Sequence, residues 1–259
     1  MRYTSEHPEL VRIYETTTPE QLAELFRLRP DLTRSGLEKL LEISQEDFEK
    51  AVPQAIDQQT GLFSKMYFEK NILPLAIEKA DKDGISLTYL SIDLDDFKKI
   101  NTVYGERNGD EVIKSFSDLL KKSFRSIIGG KKAQIFVEQE KRNSDRREDA
   151  SSLDYIARIH DRYTQEGRVG GGEEFAVILY GINETEAIRL ATTRLLENVR
   201  KKEVQYQGGT IKFTFSGGIA QYERGMTAEQ LILNATEARK YSKDNGKDKI
   251  TPYSQIPKK

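Results

Sequence analysis

The chain contains no cysteine, which excludes disulfides, thiolate metal sites and cysteine nucleophiles. It has two histidines, His7 and His160, too few for a histidine-ligated metal centre. Excess charge is also missing: 41 Lys and Arg against 42 Asp and Glu leave a formal net charge of -1. No global pull toward nucleic acid or an anionic membrane follows from such a balance. No run of about 18 apolar residues occurs, and Met1 to His7 carries no apolar signal core. The chain is therefore expected to be cytoplasmic, without a membrane span and without nucleic acid among its partners. What is present is charge of both signs, 32 % of residues, beside 37 % hydrophobic ones over 259 positions. That suits one large domain, or one domain and a small companion.

The first 50 residues read as short helices. Thr18-Pro19-Glu20-Gln21 is a capping box with proline at the first helical position, followed by Leu22, Leu25 and Phe26 at helical spacing. So short a segment has little core of its own, and it is expected to pack on its neighbour or on a second copy. Residues 51–256 form the main domain. A turn at Asp57–Lys65 leads into a helix that Asp83-Gly84 breaks, and Ile85 to Leu94 reads as a central strand. Asp110 is expected to open a helix with Ile113, Phe116, Leu119, Leu120 and Phe124 on its apolar face. Residues 127–165 lose periodicity and are read as a charged, flexible insertion, with a short helix near Leu153 to Ile159. It is either a partner-docking arm or tolerated loop sequence. Phe175 to Tyr180 reads as a strand, and Asn183 caps a helix. Val204 to Ala220 reads as a hairpin through Gly208-Gly209, and Thr227 caps a last helix before a short strand at Lys247–Thr251. The mixture is α+β: a mainly antiparallel sheet flanked by helices, with a small N-terminal helical segment.

Chemistry concentrates at Arg168-Val169-Gly170-Gly171-Gly172-Glu173-Glu174-Phe175. Glycines permit a tight turn and close backbone approach to a ligand. Paired carboxylates on such a turn can hold a divalent cation or serve a reacting oxygen, or can simply face water. Asp93-Leu94-Asp95-Asp96-Phe97-Lys98, Asn101, Gly105 and Gly109-Asp110 fit the pattern D-x-D-x-F-K-x-x-N-D-x-x-G-H-x-x-G-D, with Thr102 and Glu106 in place of Asp and His. Asp57, Thr60, Gly61 and Leu62 fit D-x-L-T-G-L, with Gln59 differing. Thr214, Ser216, Gly218, Ile219 and Ala220 fit T-x-S-x-G-I-A. Ala235, Ala238, Lys243 and Gly246 fit A-D-x-A-L-Y-x-A-K-x-x-G-R-N, from which Thr236, Arg239, Lys240, Ser242, Lys247 and Asp248 depart. Taken together, over roughly residues 52 to 253, the chain resembles the GGDEF family of diguanylate cyclases in its GGEEF variant.

The resemblance implies a fold related to the polymerase palm and the nucleotide cyclases. It also implies a reaction in which two GTP, one on each subunit of a homodimer, become cyclic di-GMP and two pyrophosphates. A triphosphate with an attacking alkoxide needs divalent cations, and hard oxygen ligands imply Mg²⁺ or Mn²⁺. Carried over by position, Asp93, Glu173 and the Leu94 carbonyl are the expected metal ligands. Glu174 is expected to assist deprotonation of the 3'-hydroxyl, the other reading being an exposed turn carboxylate. Asn101 and Asp110 match the guanine-reading pair, since a carboxylate accepts from guanine N1–H and N2–H₂; Asp110 could also serve as a helix N-cap. Phe97, Lys98, Gly171, Gly172, Lys243 and Lys247 match the remaining GTP-binding positions. Lys247 keeps a positive charge where the family has arginine, without the bidentate fork.

Two departures bear on activity. The family reads R-x-G-G-[DE]-E-F, whereas here Arg168 precedes Val169 and three glycines, so its place is shifted by one. The product-inhibition pattern R-x-x-D, five residues before the two glycines, falls on Arg162 and Gln165, so only an arginine remnant is expected. The alternative to an active enzyme is a weak or inactive module that binds GTP or cyclic di-GMP and signals through protein contacts. A regulatory partner would reach it through residues 1–50 or the insertion.

Overall fold

Strand β2 (Leu87–Leu94) is buried along its whole length, and its alternation builds two cores. Leu90, Ile92 and Leu94 face one layer with Ile113, Phe116 and Leu120, while Leu87 and Tyr89 face the other with Leu231 and Ala235. The structure, a computed structural model, describes residues 56–124, 154–159 and 172–257. The expected N-terminal helices, most of the insertion, and Arg162, Arg168 and Gly171 lie outside the described residues.

In chain order, β1 (Phe63–Ser64) leads through helical turns at Lys65–Tyr67 and Phe68–Ile72 into α1 (Leu73–Asp83). Gly84 ends α1 in the left-handed conformation, φ 64°. After β2 come α2 (Phe97–Tyr104) and α3 (Glu106–Ser123), then β3 (Tyr155–Ile159) and β4 (Glu174–Tyr180). A helical run follows, α4 (Glu184–Leu190) continuing through Ala191–Leu196 into α5 (Glu197–Lys201). The hairpin β5 (Glu203–Tyr206) and β6 (Gly209–Lys212) precedes β7 (Phe215–Gln221), α6 (Ala228–Asp244) and β8 (Lys249–Pro252). The main sheet has the order β1-β3-β4-β2-β7-β8, antiparallel at its centre and parallel at both outer pairs. Helices cover both faces, which is the expected α+β architecture. The capping reading holds at α4 and α6, where Asn183 Oδ1 and Thr227 Oγ1 accept from the N–H of Glu186 and Gln230.

Four local expectations are corrected. The segment around Leu153 to Ile159 is not a helix within an insertion: Tyr155–Ile159 is a strand paired with β4, Arg158 lying opposite Phe175. A sheet with an open edge beside β4 recruits any segment able to alternate, and Ile156 and Ala157 are fully buried there. The insertion of 127–165 is thus interrupted by a strand of the main sheet. Helix α3 starts at Glu106, directly after Gly105 at φ 85°, so Asp110 lies inside the helix and does not cap it. Finally, the long second arm expected from Thr210 to Ala220 breaks at Phe213-Thr214. Its second half joins the main sheet as β7, because Phe215, Ile219 and Ala220 are buried there.

Two contacts set where the site can form. On β7, a Cβ added at Gly218 would lie 2.1 Å from both the Ala235 carbonyl oxygen and the Arg239 amide nitrogen. The α6 backbone therefore rests directly on the strand. At the other side of the sheet, the buried Arg158 donates from Nε to the Gly172 carbonyl (2.8 Å) and from Nη1 to Asp57 (3.2 Å) and Gln59 (2.6 Å). It ties β3 to the turn before β4 and to the loop before β1. Gly218→Ala is expected to cost about 3 kcal/mol and to lower the thermal midpoint by roughly 6–12 °C. Gly217→Ala meets only side-chain atoms at 3.1–3.4 Å and should cost less. Arg158→Leu removes the buried cation beside Asp57 and is expected to cost about 3–5 kcal/mol in a urea melt.

Candidate active site

Strand register brings the carboxylates together. Asp93 and Glu174 are directly opposite partners of β2 and β4, so both side chains emerge on the sheet face that α6 covers. The next residue of β2, Leu94, donates its N–H to the Glu173 carbonyl at 3.2 Å, which fixes the turn against the end of the strand. Three carboxylates thus meet at one end of the central strand pair. Burial, reinforced by the charges of Asp93 and Glu174, pushes the Glu173 carboxyl above its ordinary value. Burial likewise raises Asp93, and Lys243 and Arg239 offset this only in part.

Helix α6 supplies the counter-charges. Lys243 Nζ is 2.7 Å from Asp93 Oδ1, and Arg239 Nη1 is 3.0 Å from Glu174 Oε2 and 3.9 Å from Asp93 Oδ2. The Lys243 ammonium is thus the close ion-pair partner of the buried Asp93 Oδ1. Arg239 also donates to the Ile92 carbonyl at 3.4 Å. Among the described residues no three acidic, histidine or cysteine side chains stand at metal-holding spacing. The donors on offer are two hard carboxylates and nearby backbone oxygens. Such a set suits Mg²⁺, which is held by one or two carboxylates together with substrate phosphates.

The neighbouring acids have other work. Asp95 is buried and accepts from Thr214 Oγ1 (2.7 Å), Ser216 Oγ (2.6 Å) and the Asp248 N–H (3.0 Å). It locks the end of β2 to β7 and to the loop after α6, which accounts for Thr214 just before β7 and Ser216 on it. Asp96, at φ 53°, pairs with Lys247 Nζ at 2.6 Å, and that lysine holds its carboxyl below the ordinary value. Lys247 and Asp248 are also left-handed, at φ 60° and 46°. Such non-glycine conformations cost about 1–3 kcal/mol each and cluster at functional loops.

A second cluster lies between α2 and α3. The Asn101 Oδ1 atom occupies the place a Gly109 side chain would take, 1.8 Å from an added Cβ, and it is buried without a hydrogen-bond partner. Asp110, the next residue of α3, accepts from Gln59 Nε2 at 2.9 Å. Gln59 in turn accepts from Arg158. A chain of hydrogen bonds therefore runs from Asp110 through Gln59 and Arg158 to the Gly172 carbonyl, joining the two clusters. Phe97 is buried at the start of α2, and Lys98 beside it is exposed.

The structure thus brings Asp93, Glu173, Glu174 and Lys243 together, sets Lys247 on Asp96, and places Asn101 beside Asp110. Sequence reasoning misses Arg158, Gln59 and Arg239. Arg158 is hidden by the insertion on both sides of it; Gln59 and Arg239 are visible only as departures from the family pattern. Among the described residues, Arg158 is the arginine on the glycine turn, donating to the Gly172 carbonyl.

The Diguanylate cyclase, GGDEF domain family matches residues 54–135 and 154–249, resuming at the start of β3. Diguanylate cyclase DgcS of Shewanella oneidensis is 27 % identical over 237 residues, 91 % of this chain and 64 % of its own length. Diguanylate cyclase A of Treponema denticola is 27 % identical over 206 residues, 78 % of this chain and 45 % of its own. The chain thus spans less than two thirds of these curated relatives. Among solved structures, the GGDEF domain of DgcB from Caulobacter crescentus in complex with c-di-GMP aligns with a TM-score of 0.58 at 19 % identity, over 78 % of this chain and 94 % of that one. Diguanylate cyclase SiaD from Pseudomonas aeruginosa, in complex with its activator SiaC, aligns at 0.59 and 20 % identity, over 96 % and 77 %. These likenesses carry the fold, and the family match over most of the domain carries the assignment. The chain belongs to the diguanylate cyclase GGDEF-domain family.

Proposed function

We propose that this protein is a diguanylate cyclase that condenses two GTP into cyclic di-GMP and two pyrophosphates across a homodimer. The observation that carries the reading is the convergence of Asp93, Glu173 and Glu174 at the end of one strand pair, with Lys243 beside them. Asp93 and Glu173 would hold Mg²⁺ or Mn²⁺, with the Leu94 carbonyl as a further oxygen. Bound there, the ion would neutralise the triphosphate and align the attacking and leaving oxygens. Glu174 would take the 3'-hydroxyl proton. Lys98, Lys243 and Lys247 would hold the triphosphate, near the backbone of Gly171 and Gly172, and Phe97 anchors the start of α2, which carries Lys98.

Asn101 and Asp110 would read guanine. The buried, unpartnered Asn101 oxygen needs a donor, and the Asp110 carboxylate is aimed by Gln59. A site that leaves such groups unpaired with the wrong base discriminates strongly. The described residues of one chain form one such site, and the joining of two GTP is assigned to a pair of chains. Residues 1–50 and the insertion are the segments through which dimerisation or a regulatory partner would act. Among the described residues no helix is long and apolar enough to cross a membrane.

Feedback by the product is proposed to be absent. With Arg158 as the arginine of R-x-G-G, the R-x-x-D positions fall seven and four residues earlier, on Ser151 and Asp154. The acid is present there and the arginine is not.

Purified protein with Mg²⁺ and GTP is expected to release cyclic di-GMP and pyrophosphate. Glu174→Ala and Asp93→Asn should each lower the rate at least about 10²-fold, and added cyclic di-GMP should leave the initial rate unchanged. Binding of guanine nucleotide without turnover above the Glu174→Ala level would instead favour the non-catalytic signalling module. Because burial raises the Glu173 carboxyl, its ionised form opposes folding above its ordinary titration range. At neutral pH, Glu173→Gln is therefore expected to melt higher than the unaltered chain without ligands, while losing the gain in midpoint that Mg²⁺ gives together with a non-hydrolysable GTP analogue.

A further inference from the structure

Arg239 and Lys243 are one helical turn apart on α6 and face the same carboxylates, but they are held very differently. The Lys243 side chain is 34 % exposed and ends a flexible stem; that of Arg239 is 12 % exposed. The Arg239 backbone nitrogen is pressed against β7 at Gly218, and its guanidinium reaches Glu174 Oε2, Asp93 Oδ2 and the Ile92 carbonyl at once. Guanidinium does not lose its proton in proteins. Lys243 can therefore swing away to a phosphate, whereas Arg239 stays as a fixed positive charge. The pattern that this helix otherwise fits carries leucine at that position, so the charge is a property of this chain.

Resting on the reading above, we infer that Arg239 is a positioning residue, the resident counter-cation of the carboxylate cluster. It holds Glu174 in place before any ligand arrives and makes binding of a divalent ion alone weak, so that the ion enters together with the triphosphate. The physical basis is charge. A divalent ion on Asp93 and Glu173 would stand close to a guanidinium in a half-buried setting, where repulsion is poorly screened. A triphosphate brings enough negative charge to offset both cations. Lys243 then transfers from Asp93 to that phosphate, leaving the Asp93 oxygens to the ion.

The test is Mn²⁺ binding by the full chain, followed by titration calorimetry or the electron paramagnetic resonance of unbound Mn²⁺, with and without a non-hydrolysable GTP analogue. Without nucleotide, Arg239→Gln is expected to bind Mn²⁺ about tenfold more tightly than the unaltered chain, and Arg239→Lys to bind like the unaltered chain. With the analogue present, the difference should shrink. A gain in metal affinity is not what a merely damaged fold produces. Equal or weaker Mn²⁺ binding by Arg239→Gln overturns the inference. So does an unaltered chain that binds Mn²⁺ as tightly without the analogue as with it, a comparison needing no variant. If no chain binds Mn²⁺ even with the analogue, the nucleotide-cyclase reading itself falls, and this inference with it.

Discussion

Like charges held at hydrogen-bonded strand ends must be neutralised, and that constraint organises this domain. Asp93 and Glu174 are opposite partners across β2 and β4, with Glu173 at the adjoining turn. In water such carboxylates would separate; here backbone pairing over the length of both strands keeps them together. Helix α6 answers with Arg239 and Lys243, and it can reach them only because Gly218 lets its backbone lie on β7. A residue with no side chain thus decides whether the acidic end of the sheet is tolerable in the absence of ligand. Burial raises the Asp93 and Glu173 carboxyls even beside these cations. A site in that condition favours any incoming cation that arrives with its own counter-charge.

The second organising element is the buried Arg158. Its guanidinium spans the Gly172 carbonyl, Asp57 and Gln59, and Gln59 continues to Asp110. The acidic turn and the proposed guanine-reading pair are therefore parts of one hydrogen-bonded frame rather than separate loops. Polar networks of this kind are costly when partly satisfied and specific when complete. The connection between β3 and the turn is longer than the family pattern, yet Arg158 still docks on the turn, because its position is set by pairing with β4 and not by the chain in between.

Much of the site is legible in the order of residues alone. Asp93, Asn101, Asp110, Glu173, Glu174 and Lys243 stand out because the motifs around them resemble the family pattern. The helix caps at Asn183 and Thr227 are equally legible, since a cap is a local hydrogen bond between neighbours in sequence. Strand β3 is not legible. Five residues between two charged, aperiodic stretches carry too little pattern, and they become a strand only because β4 offers an unpaired edge. The start of α3 is obscured for a similar reason. Gly109 looks like a helix breaker, and only its packing against Asn101 shows why glycine is required inside the helix.

By itself the sequence determined the family, the α+β class and the identity of the acids, because these depend on residue type and short intervals. Only the tertiary structure decided which cations face those acids and which arginine holds the turn. Arg239 is 65 residues from Glu174 in the chain, and Arg158 is 101 from Asp57. No local pattern encodes such distances; they are set by sheet order and by the close approach of α6 to β7. The acidic turn is readable as a motif, while the charge that balances it comes from the fold.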